Sequence, residues 1–443
     1  MACIPQIIRS VAKQLGPKPL HMDIMSGAET TFVDFRNQAW FMAARLVRLP
    51  PVDDDGVALI GFSGVQALVL EAACQTASLV PFSIAPSIPA DEILAAVLIC
   101  RCRWFILCDD PTFDAGLVRT TLEPLSHVAT EIPIERLRPP PDIGEDELVA
   151  ILEDPEVERR ISVIGPRHAA CGLAHVTPDG RTQVVAISHE GLGSLCESLR
   201  TELMADESDV WTSISGLESP FARIVCWYCC LLSGGTYTVA PLGRSPVEAL
   251  FLTQPTIAVC DSVGAADIES GLISELQLLE GARGRLTRWG FHRARARTAA
   301  GTESHGMLDA LADLAVDRLV RDIPGGSLRT ILCDGMNDPA ASRTTFQTAG
   351  IDLWEISAPA SACCFLAARR PGCFREGSVG KPLPVTSLFV SPRGELMASG
   401  PAIMVSEMCL PPAECQDLDH GNLKTGLRGR VDDEGFVFID GRL

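Results

Sequence analysis

Several small groups of residues have types and spacings that could do chemistry. Cys226, Cys229 and Cys230 stand at a metal-like spacing, but they share an apolar stretch with Trp227 and Tyr228. No second cysteine pair sits at finger spacing, so they read as core thiols rather than zinc ligands. His168, Cys171 and His175 could converge on a metal or could be scattered polar residues of a loop; the loop is the default. Gly61-Phe62-Ser63-Gly64 lacks the full pattern of a nucleophile elbow and reads as a strand-to-helix turn. Ser188 and His189 are adjacent. Their side chains therefore diverge, which argues against a serine–histidine catalytic pair. Arg283 to Arg297 (RGRLTRWGFHRARAR) is the only basic cluster, and it reads as a solvated face rather than a binding patch.

The elements that hold these groups follow from periodicity. Ile4 to Leu15 and Phe32 to Leu49 have helical spacing, the second through Phe35, Ala39, Met42, Ala43 and Leu46. Val57 to Ala85 carries a single charge, Glu71, and could pass for a membrane span. Gly61, Gly64, Pro81 and Pro86 divide it into a buried strand, a helix over Gly64 to Ser78 and a second strand over Leu79 to Ile84. A helix over Ala90 to Cys100 and a strand over Arg103 to Cys108 continue the alternation, which predicts a mostly parallel, doubly wound sheet. Arg138 to Glu158 is rich in proline and acids and reads as a surface excursion or linker. Ile161 to Gly165 reads as a short strand, Asp209 to Ser215 as another, and Ile224 to Ser233 as an apolar helix stopped by Gly234-Gly235.

At 443 residues the chain is long enough for about two or three domains. Its net charge of −19 makes it a poor partner for nucleic acid or anionic membranes. The 17 cysteines are irregularly spaced, and MACIPQIIRSVAKQLG is amphipathic rather than signal-like. Reduced thiols in a cytoplasmic compartment are therefore expected.

The C-terminal run orders these elements into something more specific. Gly377 to Pro384 reads GSVGKPLP, a loop that must turn sharply. A strand over Leu383 to Val390 follows, then GELMASGPAIM, then LKTGLRGRVDDEGFVFIDGRL, in which Asp432 to Gly435 is a hairpin turn. This succession resembles the AMP-forming acyl-CoA synthetases and their adenylation-domain relatives, closest to the long-chain fatty acid–CoA ligase branch. The family pattern GSVGKPLPG, GELLVRGPxVMxGY, WFxTGDxGRxDEDGYLxIxGRxKD runs in the same order. Pieces further upstream match too: VPFSIAPSIPADEI, Phe221 and Arg223 of the LPLSHxFxR motif, and Gly325-Gly326-Ser327-Leu328-Arg329.

The resemblance implies an α/β fold: two doubly wound sheet subdomains plus a small antiparallel β-barrel-like subdomain. Residues 1–375 would form the core, with a subdomain boundary near 175. Residues 376–439 would form the β-rich unit and 440–443 the hinge, beyond which the family's C-terminal domain is absent from this sequence. The final Gly-Arg-Leu faintly resembles a peroxisomal address, but the hinge motif explains it better. Four family motifs lack their working group. In the phosphate loop, TSGTTGxPKGVxxSHxxL, only Gly180 matches and Gln183 stands at the lysine. Asp179 adds a negative charge there, and Pro178 removes an N–H. Ser361 replaces the magnesium-contacting glutamate, Leu427 the ribose-gripping aspartate, and Ser219 a histidine.

The expectation is a catalytically degenerate relative serving as a binding or scaffold module, with no catalytic residue and no metal site. A protein partner or an acyl ligand is expected, and a homodimer is possible in principle. The alternative is a divergent acid-activating ligase using ATP and magnesium, with a C-terminal domain supplied elsewhere. Its nucleotide cleft would be lined by Gly180, Gly335, Gly426 and Arg442.

Overall fold

The computed structural model describes residues 2–49, 56–85, 88–111, 113–140, 143–176, 182–217, 219–240, 243–300, 306–312, 324–335, 340–409, 418–419 and 421–443. The first helix, α1 (Ile4–Leu15), buries Ile4, Ile8 and Ala12, one stripe at four-residue spacing. Strands β1 (Pro19–Asp23) and β2 (Glu29–Thr31) form a hairpin. Thr31 then caps α2 (Phe32–Leu46), its hydroxyl accepting the Asp34 N–H at 3.1 Å.

The expected alternation follows: β3 (Gly56–Ile60), α3 (Gly64–Thr76), β4 (Val80–Ile84), α4 (Ala90–Ile99), β5 (Trp104–Leu107), α5 (Ala115–Leu122) and β6 (Thr130–Glu131). The long apolar stretch is thus a βαβ unit, with every residue of β3 buried. Among the described residues no helix is long and apolar enough to cross a membrane.

The segment expected as a surface excursion or linker over Arg138 to Glu158 does lie at the surface, with no residue of its first helix buried, but it is helical. It holds α6 (Glu145–Leu152) and the start of α7 (Pro155–Val163), both packed on α2. The short strand expected at Ile161 to Gly165 is the end of α7. Asp154 caps that helix, Pro155 opens it, and Val157 and Ile161 bury at helical spacing. A β-branched run before glycine imitates a strand; the cap and the i, i+4 pair decide for helix.

Next come β7 (Ala169–Val176), β8 (Thr182–Ser188), α8 (His189–Leu203) and β9 (Val210–Ser213). The apolar helix begins earlier than expected, as a π-helix over Ala222–Tyr228 continued by α9 (Cys229–Ser233). Beyond it run β10 (Thr236–Val239), α10 (Pro246–Thr253), β11 (Ile257–Asp261), α11 (Ser262–Leu278) and the basic α12 (Gly281–Ala300). Of residues 301–323, only 306–312 are described. The chain closes with β12 (Thr330–Asp334), α13 (Ala340–Thr348), β13 (Asp352–Ser357), β14 (Ala367–Arg369), β15 (Ser387–Val390), β16 (Glu395–Ser399), β17 (Ser406–Cys409), β18 (Leu418–Asp419), β19 (Asn422–Val431) and β20 (Val437–Arg442).

Three sheets result. The first has eight strands in the order β14-β13-β12-β11-β9-β10-β1-β2, parallel from β13 through β1. The second has seven, β17-β8-β7-β4-β3-β5-β6, parallel from β7 through β6. The third is antiparallel, β15-β16-β19-β18, with β20 also paired to β19. Strand β17, from far downstream, covers β8 at the edge of the second sheet. One apolar core runs from α1 and α2 through α3 and α8 to the π-helix, joining the faces of both parallel sheets.

Candidate functional site

In the first sheet the chain leaves β9 for β10 on one side and returns to β11 on the other. Open α/β sheets take ligands at such a switch, outside the carboxyl ends of the strands. Two carboxylates stand at that edge. Asp261 ends β11, Asp334 ends β12, and the two are register partners. The Asp261 carboxylate accepts the Gly264 N–H at 2.7 Å and so caps α11. Burial pushes the Asp334 carboxyl up to about 6, and the negative Asp261 beside it adds to the rise. Gly335 follows at φ +94° and donates its N–H to the Ile356 carbonyl at 3.0 Å. A side chain there would be strained, so the glycine lets β12 end in a sharp turn beside the pair.

The other sequence-nominated residues lie elsewhere. Gly426 sits at φ +65° in the third sheet, its N–H donated to Glu395 Oε1 at 3.1 Å and its carbonyl accepting the Leu443 N–H at 3.0 Å. Leu427 is the register partner of Arg442, so Gly426, Leu427 and Arg442 are brought together. Thr425 turns its hydroxyl away, to the Leu396 carbonyl at 2.7 Å. Ser361 lies in a short 3-10 turn after β13, its carbonyl accepting the Met404 N–H at 2.8 Å. Gly180 lies outside the described residues. The strands flanking it pair as Val176 with Thr182 and His175 with Gln183, and Gln183 also faces Cys409 of β17. Ser219 accepts the Arg223 N–H on its carbonyl at 3.0 Å, which starts the π-helix.

Residues singled out for metal or nucleophilic chemistry are absorbed by the fold. Ser188 caps α8 through its hydroxyl, which accepts the Gly191 N–H at 2.9 Å. His189 is buried and its Nδ1 accepts the Ile4 N–H at 3.3 Å, anchoring α1. Burial pushes that imidazole down to about 4, helped by the neighbouring His168. His168 Nδ1 accepts the Gly165 N–H at 3.2 Å. Cys226, Cys229 and Cys230 are buried, and none of the 15 described cysteines outside Cys409 forms a disulfide. Among the described residues no group of three or more histidines, cysteines and acids could hold a metal ion.

Sequence reasoning missed a buried polar network. Arg223 Nη1 meets Glu71 Oε2 at 3.0 Å, with both side chains almost fully buried. Tyr228 donates its hydroxyl to Glu71 Oε1 at 2.6 Å, and Gln75 Nε2 bonds Tyr228 at 2.6 Å and the Ala170 carbonyl at 3.0 Å. Burial, then the Glu71 charge, holds the Tyr228 phenol well above its usual range. The network ties α3, which carries the second sheet, to the π-helix under the first. The one signal in the sequence was a lone glutamate in the apolar Val57 to Ala85 stretch, which must be paired if buried.

This arrangement matches known proteins. A family model described as AMP-binding enzyme matches residues 9–405. The chain belongs to the AMP-binding enzyme family. Within this adenylate-forming, acyl-CoA-synthetase-related family, its fold is close to the N-terminal domain of FACL13 from Mycobacterium tuberculosis. The two chains cover each other fully at 14% identity, with a TM-score of 0.72. A Mycobacterium tuberculosis fatty acyl CoA synthetase aligns at 15% identity and a TM-score of 0.71, over 100% of this chain and 78% of that one. In sequence, the long-chain-fatty-acid–CoA ligase FadD15 of Mycobacterium tuberculosis (strain ATCC 25618 / H37Rv) is 29% identical over 133 residues. That match spans 30% of this chain and 22% of the relative's length. The expected resemblance and fold class therefore hold, with the parallel sheets of an AMP-binding N-terminal domain and an added antiparallel one.

Proposed function

We propose that this AMP-binding family member is catalytically degenerate and serves as a binding or scaffold module for an acyl ligand or a protein partner. The observation that carries the reading is an asymmetry within the motifs. Gly335, Gly426 and Arg442 are retained, while Gln183, Ser361, Leu427 and Ser219 stand where the family pattern has its working side chains. Each replacement removes a specific force. Gln183 brings no cation to a triphosphate, Ser361 no carboxylate to magnesium, and Leu427 no acceptor to a ribose diol. The residues do not fit a magnesium–nucleotide complex of the family type. The strand-end pair Asp261–Asp334 supports the same reading, because it sets two acidic side chains side by side at the ends of β11 and β12, an arrangement that disfavours a phosphate there.

The second reading is a divergent acid-activating ligase of the fatty acid–CoA type. The left-handed backbone kept at Gly335 and Gly426 favours it, since such glycines permit close approach of a ligand to the main chain. Gly180, Gly335, Gly426 and Arg442 would then line the nucleotide cleft. Magnesium-dependent exchange of labelled pyrophosphate into ATP, run with a panel of short- to long-chain carboxylic acids, separates the two. The degenerate reading predicts no exchange above background with any acid. Acid-dependent exchange would overturn it in favour of the ligase.

A further inference from the structure

At the β6 edge of the second sheet, away from the residues discussed above, a cavity of about 690 Å³ opens between the end of α2 and the turn after β6. Its volume falls in the range that small-molecule sites occupy. Trp104, Ile132 and Leu137, all buried, give it an apolar floor. Its rim carries four guanidinium groups, from Arg45, Arg48, Arg136 and Arg138, against the carboxylates of Glu131 and Glu135. In a chain with a net charge of −19 this is a local reversal of sign.

Part of that charge is already used. Arg48 pairs with Asp154 at 2.5 Å, Arg138 grips Asp109 at 2.6 and 2.9 Å, and Glu131 answers Arg119 at 2.8 Å. Arg45 and Arg136 have no ion pair among the described residues; the Arg45 guanidinium rests 4.9 Å over the Phe41 ring. Two available forks above an apolar floor match one ligand chemistry. Guanidinium groups take carboxylate or phosphate oxygens through paired N–H donors, and the floor takes a hydrocarbon body.

We propose that this cavity binds an amphiphile with an anionic head, which meets Arg45 and Arg136 while its apolar body lies on Trp104, Ile132 and Leu137. Neither arginine belongs to the strand-end crevice, so the site does not depend on whether that crevice binds nucleotide. The test is calorimetric titration of the whole chain with dodecanoate and with dodecyl phosphate, using dodecylamine as the control with the same tail. At least one anion should bind, and the amine should not; which anion binds tells a carboxylate from a phosphate head. The Arg45→Ala/Arg136→Ala variant, altered only at exposed positions, should keep its thermal midpoint and lose about tenfold or more in affinity, the loss expected when two charged hydrogen bonds go. A brominated dodecanoate should also quench tryptophan fluorescence in the parent chain and quench it less in Trp104→Phe. Failure of both anions to bind overturns the proposal, as does undiminished binding by the double variant, equal binding of the amine, or unchanged quenching in Trp104→Phe.

Discussion

His189 and Asp334 give the molecule two opposite responses to acid. His189 holds a folded-state value of about 4 against an ordinary 6.5. Above pH 6.5 it is neutral in both states and contributes nothing. As pH falls from 6.5 to 4, the unfolded chain takes up a proton that the folded chain refuses, so stability falls by about 3 kcal/mol. Asp334 runs the other way, with a folded value of about 6 against 3.8. Between those values the folded chain takes its proton first, so stability rises as pH falls. Urea midpoints measured from pH 7 to pH 4 should therefore drop more steeply in Asp334→Asn than in the parent chain, and less steeply in His189→Gln. Three parallel curves would contradict both assignments. The Arg223–Glu71 pair makes a different prediction at this scale. Replacing Arg223 by Met leaves a buried carboxylate with only Tyr228, and breaking such a pair costs about 3–5 kcal/mol. A loss below about 1 kcal/mol in urea unfolding would show that the pair is not held as described. Little of this was legible in the sequence. Asp261 and Asp334 meet only through strand register, as Glu71 and Arg223 do through packing, and neither leaves a local pattern.

The elements were far more legible where one period dominated. The alternation from β3 to β5 and the 432–435 hairpin could be read directly, because buried strands, amphipathic helices and turn glycines each leave a local signature. The failures have physical causes. In α7 the β-branched residues Ile161 and Val163 outweighed the cap in the reading, although Asp154 and Pro155 mark a helix start. The π-helix is invisible because a wider turn depends on tertiary contacts rather than composition. Strand β17 pairs with β8 across about half the chain, a pairing for which no local code exists. The GSVGKPLP loop supplies the prediction here. Gly380, at φ +88°, bridges the first and third sheets, its carbonyl accepting the Val437 N–H at 2.9 Å, while the next residue, Lys381, exchanges bonds with Ala368 at 3.0 and 3.1 Å. A Cβ at Gly380 would lie 1.8 Å from the Ala368 carbonyl oxygen, whereas one at Gly435, φ +83°, would meet nothing within 4 Å. Gly435→Ala should cost only the left-handed backbone penalty of about 1–2 kcal/mol. Gly380→Ala should cost clearly more, with loosened packing between the two sheets. Equal urea midpoints for the two variants would refute the bridging role of this loop.

For the whole molecule, the degenerate reading separates the fold from the nucleotide chemistry. Apolar, glycine and proline positions specify the sheets, the turns and the core, and a fold tolerates wide change elsewhere; 14% identity still yields a TM-score of 0.72. Chemistry depends on a few side chains that contribute little to that core. The scaffold can therefore persist while Gln183, Ser361 and Leu427 stand at the working positions. What the fold keeps is one framework: two parallel sheets joined through one core, cross-linked by the Glu71–Arg223–Tyr228 network, with a third sheet attached through Gly380. The degenerate reading is tested most directly by calorimetric titration of the purified, folded chain with magnesium–ATP and with a non-hydrolysable acyl-adenylate analogue. The account predicts no heat of binding from either. Micromolar binding of either would contradict it and would show that other side chains stand in for the missing lysine and carboxylates.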